Sequence, residues 1–182
     1  MAMPRIDRVV ALCEDDLHKR FLMRWLAHRN IKLVDAEVAP SAKGSGSAYV
    51  KNRFQLFVKK AKQKVNQAGL GFIVVLDGDA LGFVAQKLAL DKLIAGDETL
   101  KQTLENRIAA IIPSWSIDTW ILAICGSEII ESTKITEQIK RSIDDEMIRR
   151  ATVDFDSYRR ALPAHLPAML DAQIELRKLD LA

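Results

Sequence analysis

Two cysteines, three histidines and five prolines in 182 residues leave few routes to a cross-linked, zinc-bound or loop-dominated protein. Cys13 and Cys125 sit in apolar settings, so neither a disulfide framework nor a thiolate metal knot is expected, and reduced thiols in the cytoplasm are. His18, His28 and His165 share no ligand spacing, which leaves zinc and a His-based triad without support. No apolar run approaches the roughly 20 residues of a membrane span. The first residues lack a signal-peptide pattern, because Arg5, Asp7 and Arg8 precede only a short apolar stretch. There is no P-loop spacing, no internal repeat and no low-complexity tail. The net charge of +3 is too small to imply nucleic-acid binding by itself, so any such role must rest on local clusters.

What is present is a series of short apolar runs ending in acids. Phe72-Ile-Val-Val-Leu76 runs directly into Asp77-Gly78-Asp79. An apolar run of this length between glycines reads as a strand buried on both faces. The turn after it presents two carboxylates at the strand's carboxyl end, where open α/β sheets bind ligands. Carboxylates so placed repel each other unless a cation, a basic group or a shared proton relieves them, and Mg²⁺ suits oxygen donors. The plainer alternative is a polar strand-to-helix turn in which Asp79 caps a helix starting near Leu81. Arg8-Val-Val-Ala-Leu-Cys13 is a second strand, ending at Glu14-Asp15-Asp16. Leu17, Phe21, Leu22, Trp25 and Leu26 then mark one face of a helix that Asp15 or Asp16 caps, and residues 31–38 read as a third strand. Glu14 can meet Asp77 and Asp79 only if their two strands are neighbours.

Residues 40–47 form a Gly/Ser-rich stretch around Lys43 that suits either a phosphate-approaching backbone or a plain solvated loop. Residues 49–67 predict an amphipathic helix with Val50, Phe54, Phe57, Val58, Ala61 and Val65 on its apolar face. Lys51, Arg53, Lys59, Lys60, Lys62 and Lys64 crowd the remainder with no acid between them. That is either a solvated face or the chain's best surface for a phosphate backbone. Further helices are expected over 81–94, ending at Gly96, and over 99–106, then a buried strand over 108–112. Pro113 ends that strand, Ser116 is a candidate N-cap, and Asp118 occupies the first turn of the following helix. Trp115 and Trp120 read as core or rim residues. From residue 133 the pattern is helical, over 135–150 and 158–181, interrupted at Pro163 and Pro167.

An acid at the end of the first strand (Glu14), D-x-D at the end of a later one (Asp77, Asp79) and alternating elements between them resemble the Toprim domain. That is the metal-binding catalytic fold of topoisomerases, bacterial primases and OLD-family nucleases. The small stand-alone Toprim-like bacterial proteins, including the RloB-like, defence-associated group, are more similar still. Their motifs resemble Cys13-Glu-Asp-Asp-Leu-His-Lys-Arg-Phe-Leu22, Lys43-Gly-Ser-Gly-Ser47 and the Pro113–Trp120 element. The resemblance covers residues 8–125. Two departures stand out: Asp15 follows Glu14 where Toprim motifs carry Gly, and Ala80-Leu81-Gly82 after D-x-D is apolar.

The expected fold is therefore α/β: a Toprim-like Rossmannoid domain over 1–127, with a central, mostly parallel sheet flanked by helices, and a helical extension over 128–182 packed on it. The resemblance implies Mg²⁺- or Mn²⁺-dependent phosphodiester chemistry, a nicking or cleaving nuclease in antiviral defence with an ATPase as partner. Glu14, Asp77 and Asp79 would be catalytic and metal-binding, with Asp118 a further metal ligand. Lys43 and the six basic residues from Lys51 to Lys64 would contact nucleic acid without reading bases. Two other classes stay open. Cys13-Glu-Asp-Asp16 also resembles the acidic pocket of receiver domains, with Asp77 as phosphoacceptor, although the chain lacks a Lys-Pro switch element after the 108–112 strand. A non-catalytic module that keeps the Toprim-like fold is the other.

Overall fold

Four apolar segments lie side by side as an all-parallel sheet, in a computed structural model that describes residues 5–40, 45–64, 66–130, 134–155, 166–179 and 181. The strands are β1 (Arg8–Cys13), β2 (Lys32–Val38), β3 (Leu70–Val75) and β4 (Ile108–Ile111), in the order β2-β1-β3-β4. The helices are α1 (Asp16–His28), α2 (Gly46–Gln63), α3 (Gly82–Leu93), α4 (Glu98–Arg107), α5 (Ile117–Ile124), α6 (Glu137–Lys140), α7 (Asp145–Asp154) and α8 (Pro167–Arg177). The architecture is Rossmann-like α/β. Among the described residues no helix is long and apolar enough to cross a membrane.

Strand alternation divides the core into two layers. Val9, Ala11, Cys13, Ile73, Val75 and Ile111 face α1, α5, α7 and α8. Val10, Leu12, Phe72, Val74 and Ala110 face α2, α3 and α4. Every residue of β3 is buried, as a strand with helices on both sides requires. β2 is the exposed edge strand, and its outward Asp35 and Glu37 take up basic residues of α2. The other edge strand, β4, is screened by α8. Buried Glu175 accepts from the Ala110 N–H at 3.4 Å and from Lys87 Nζ of α3 at 2.9 Å.

Residues after 127 share the core of those before it. Phe155, just past α7, is fully buried and packs edge-on to Phe21 and Trp25 of α1, with ring centroids 5.7 and 5.9 Å away. Trp120 of α5 lies 5.9 Å from it on another side, so Trp120 is a core residue.

Local boundaries shift for identifiable reasons. α2 begins at Gly46 because the Ser45 hydroxyl accepts from the Ala48 N–H. The helix expected over 135–150 is broken after α6, where Asp144 starts α7 by capping the Met147 N–H at 2.8 Å. Asp79 does not cap α3. It lies in a 3₁₀ turn (Asp79–Leu81) with φ 49°, and α3 starts without a side-chain cap. Tyr158, Pro163 and His165 lie outside the described residues, as does Lys43.

Candidate functional site

β1 and β3 are hydrogen-bonded neighbours in register, Cys13 opposite Val75, so their carboxyl ends open at the same point. The chain leaves β1 toward β2 on one side and leaves β3 toward β4 on the other. This is the topological switch point, where α/β sheets form a crevice. Glu14 is the first residue past β1 and Asp77 the second past β3. The Asp77 N–H donates to Glu14 Oε2 at 2.8 Å.

Asp77 is the hub of this end of the sheet. Its Oδ1 accepts from the Ile117 N–H at 3.0 Å, so a carboxylate from β3 caps the first turn of α5. Ser116 holds the N-cap position there but makes no capping bond through its hydroxyl. The same Oδ1 lies 2.8 Å from His18 Nε2. His18, three residues into α1, is completely buried. Asp15 caps α1 by accepting from the His18 N–H at 2.9 Å, and its carboxylate also lies 2.8 Å from His18 Nδ1, off the hydrogen-bonding line. Both ring nitrogens thus lie beside carboxylate oxygens, Nε2 in hydrogen-bond geometry with Asp77 and Nδ1 in a charge contact with Asp15.

The ionisation states follow. Burial alone would push His18 down, but Asp77 and Asp15 outweigh it and raise it well above its ordinary range. Burial and the neighbouring Asp77 push the Glu14 carboxyl up to about 7. Asp15 moves the other way, to about 2, because its contacts with His18 outweigh its burial. Cys13, at the end of β1, is pushed up to about 11 by burial, which makes it a poor nucleophile at neutral pH.

The remaining sequence-derived candidates divide. Asp79 is exposed at the mouth, its N–H donating to the Trp115 carbonyl at 3.0 Å; burial of its inner side and Asp77 raise its carboxyl. Asp118 is 6% exposed in α5, and burial raises it while Lys140 of α6 opposes the rise. Among the described residues no hydrogen bond joins Asp118 to Glu14 or Asp77. The positive charges of Lys140 and of Lys51 on α2 partly offset the rise at Asp79. On α2, Arg53 pairs with Glu37, Lys60 with Asp35 at 3.0 Å, and Lys62 donates to Thr99 Oγ1 at 2.6 Å. Lys59 is exposed and Lys51 and Lys64 are half-buried.

Two glycines make the crevice possible. A Cβ on Gly78 would sit 2.3 Å from the Ser114 carbonyl oxygen, and the Gly78 N–H donates to Pro113 O at 2.9 Å, which locks the Asp77 turn onto the β4–α5 loop. A Cβ on Gly46 would meet Glu14 Cγ at 2.5 Å, so only glycine lets α2 start beside that side chain. An open cleft of about 520 Å³ lined by Glu14, Asp15, Asp16, Val38, Pro40 and Gly46 leads in from the β2 side.

Among the described residues no three His, Cys, Asp or Glu side chains stand together as a ready-made metal cage. Mg²⁺ does not require one, since it keeps several waters and is commonly held by one or two carboxylates plus substrate phosphate. Glu14 and Asp77 fit that smaller donor set, and Asp79 stands at the mouth. Metal-ligand spacing in the sequence does not single out His18. Its signal is Asp15-x-x-His18, the spacing that puts a cap and the third helical residue together. Compared with family models, curated proteins and solved structures, the chain finds no match.

Proposed function

We propose that this chain is a Toprim-like enzyme that cleaves or nicks nucleic acid with Mg²⁺ or Mn²⁺. The observation that carries the reading is the joining of Glu14 and Asp77 at adjacent ends of parallel strands, at the switch point of the sheet. Asp77 and Glu14 would hold the ion, with Asp79 and Asp118 as further oxygen donors. When bound, the ion would polarise the scissile phosphate and offset its developing charge. With Oδ1 committed to His18 and Ile117, Asp77 would meet a cation through Oδ2. Where Glu14 does not hold the ion, its carboxyl, at about 7 without metal, is instead matched to passing a proton to or from the attacking or leaving oxygen at neutral pH.

Lys51 and Lys140, whose charges reach Asp79, would steady the phosphate backbone at the mouth, with Lys59 and Lys64 extending the contact along α2. Binding of this kind reads no bases and weakens with salt. A cytoplasmic setting suits the two free thiols, and an ATPase partner belongs to the reading through the Toprim-like resemblance.

The test is cleavage of plasmid DNA and of RNA with Mg²⁺ or Mn²⁺, with and without candidate ATPases, by wild type, Asp77→Ala and Glu14→Ala. Metal-dependent cleavage lost in both variants is the expected result. No cleavage under any of these conditions overturns the reading and leaves the non-catalytic module.

One observation favours a second reading. Asp77 lies at the end of a central strand beside the acids that follow β1, where a receiver carries its phosphoacceptor. Incubation with acetyl phosphate separates the two: a stable added phosphoryl mass, abolished by Asp77→Asn, would favour the receiver over the nuclease.

A further inference from the structure

We infer that His18 is a positioning residue of the acid site, fixing the Asp77 carboxylate through Oδ1 and leaving Oδ2 outside that clamp. The inference rests on the phosphodiester reading for its functional consequence and on geometry for its substance. A carboxylate two residues past a strand end can ordinarily rotate about χ1 and χ2. Here Oδ1 is held at two points from different elements, His18 Nε2 of α1 at 2.8 Å and the Ile117 N–H of α5 at 3.0 Å. Neither partner can drift. The imidazole is fully buried, and the backbone of His18 is fixed by the Asp15 cap at 2.9 Å. Ile117 is itself buried at the start of α5. The Asp77 N–H is meanwhile donated to Glu14 Oε2, so the same clamp also sets where Glu14 points. Asp15 thus contributes to the site at one remove, by holding His18.

The clamp accounts for a feature that packing alone leaves without a purpose. A buried imidazole against two carboxylates costs desolvation that an apolar side chain at the same place would avoid. Groups that orient a metal-binding carboxylate without touching the ion commonly set its affinity.

Two substitutions of His18 separate orientation from packing. In His18→Asn the side-chain amide stands where Nδ1 stands, within reach of Asp15 but short of Asp77. In His18→Gln the amide extends to the place of Nε2 and can still donate to Asp77. Both keep a polar group partnered in the pocket, which guards the fold. The measurements are Mn²⁺ affinity, by the loss of the free-ion electron paramagnetic resonance signal, and hydrogen exchange of the Ile117 amide without metal. Both variants lose the imidazolium charge alike, so the comparison is between them: His18→Asn should bind Mn²⁺ about 10- to 100-fold more weakly than His18→Gln and exchange the Ile117 amide faster. A folded His18→Asn protein with the Mn²⁺ affinity of His18→Gln overturns the inference, whatever the amide does. If wild type itself takes up no Mn²⁺, the phosphodiester reading falls, and the clamp is judged on Ile117 alone. Exchange in His18→Asn no faster than in His18→Gln then overturns it, and faster exchange in His18→Asn upholds it.

Discussion

The Asp77 N–H donates to Glu14 Oε2 at 2.8 Å, so the acid that ends β1 is held by the backbone of the turn that ends β3. The contact keeps Glu14 half-buried beside a second carboxylate, where ionisation is disfavoured. It also makes Glu14 the group whose protonation reports most directly on the cleft.

The pH dependence of stability follows from that placement. The Glu14 carboxyl rises from 4.5 to about 7 on folding, so its contribution is fully present below pH 4.5 and is lost as pH rises through 7. Gln at this position can still accept from the Asp77 N–H but carries no charge. Glu14→Gln should therefore melt like wild type at pH 4 and be more stable by about 2 kcal/mol at pH 8, a figure reduced for the part of the carboxyl that water reaches. Metal-free melting curves at the two pH values check this. Equal stability at pH 8 would mean that Glu14 ionises without penalty.

The glycine of the Asp77 turn should be intolerant of a side chain. Gly78→Ala drives a Cβ to 2.3 Å from the Ser114 carbonyl oxygen, and the obstacle is backbone. A loss of about 2–3 kcal/mol is expected, together with weakened Mn²⁺ binding as the turn shifts. Gly96→Ala makes the useful control. Gly96 is exposed, its Cβ would meet nothing within 4 Å and its φ is not positive, so stability should change by no more than about 1 kcal/mol. Chemical denaturation of both variants tests the difference.

Basic residues of α2 should separate by what already holds them. Charge reversal at Arg53 or Lys60 breaks a contact to Glu37 or Asp35 on β2 and should lower stability slightly. Reversal at Lys51, Lys59 or Lys64 should leave stability alone, weaken nucleic-acid binding and reduce the slope of log affinity against log salt by about 1 per residue. Affinity and slope unchanged by all three reversals would return α2 to a solvated face.

Much of this architecture is legible in the sequence because apolar runs ending at acids or proline are local signals. Arg8–Cys13 is read to the residue, and the buried strand before Asp77 differs only at its ends. The proximity of Glu14 and Asp77 needs one further fact, that β1 and β3 are neighbours, which no local pattern contains. What escapes the sequence is made between elements. Asp77 capping α5 joins residues 40 apart, and His18 meets it from 59 positions away. The division of α2's basic residues depends on Asp35 and Glu37 lying on the edge strand beside it. The break between α6 and α7 is local, but Asp144 lies within a charged, amphipathic run that masks its capping role.

The segment after residue 127 should prove essential to the core. Phe155 contacts Phe21, Trp25 and Trp120, three aromatic side chains from two helices that cover the sheet. Phe155→Ala should cost about 3–5 kcal/mol, well beyond what a loosely docked appendage would lose. Urea unfolding monitored by tryptophan fluorescence measures this. A change under about 1 kcal/mol would mean that the helices after 127 contribute little to the core.

The central claim is that the switch-point acids bind a divalent ion, and the anomalous scattering of a crystal soaked in Mn²⁺ tests it most directly. The account predicts a peak at the carboxyl ends of β1 and β3, bound by oxygens of Asp77 and Glu14, with Asp77 Oδ1 still held by His18 and the Ile117 N–H. A crystal with no peak there, while Asp77 and Glu14 keep their metal-free contacts at saturating Mn²⁺, would contradict it.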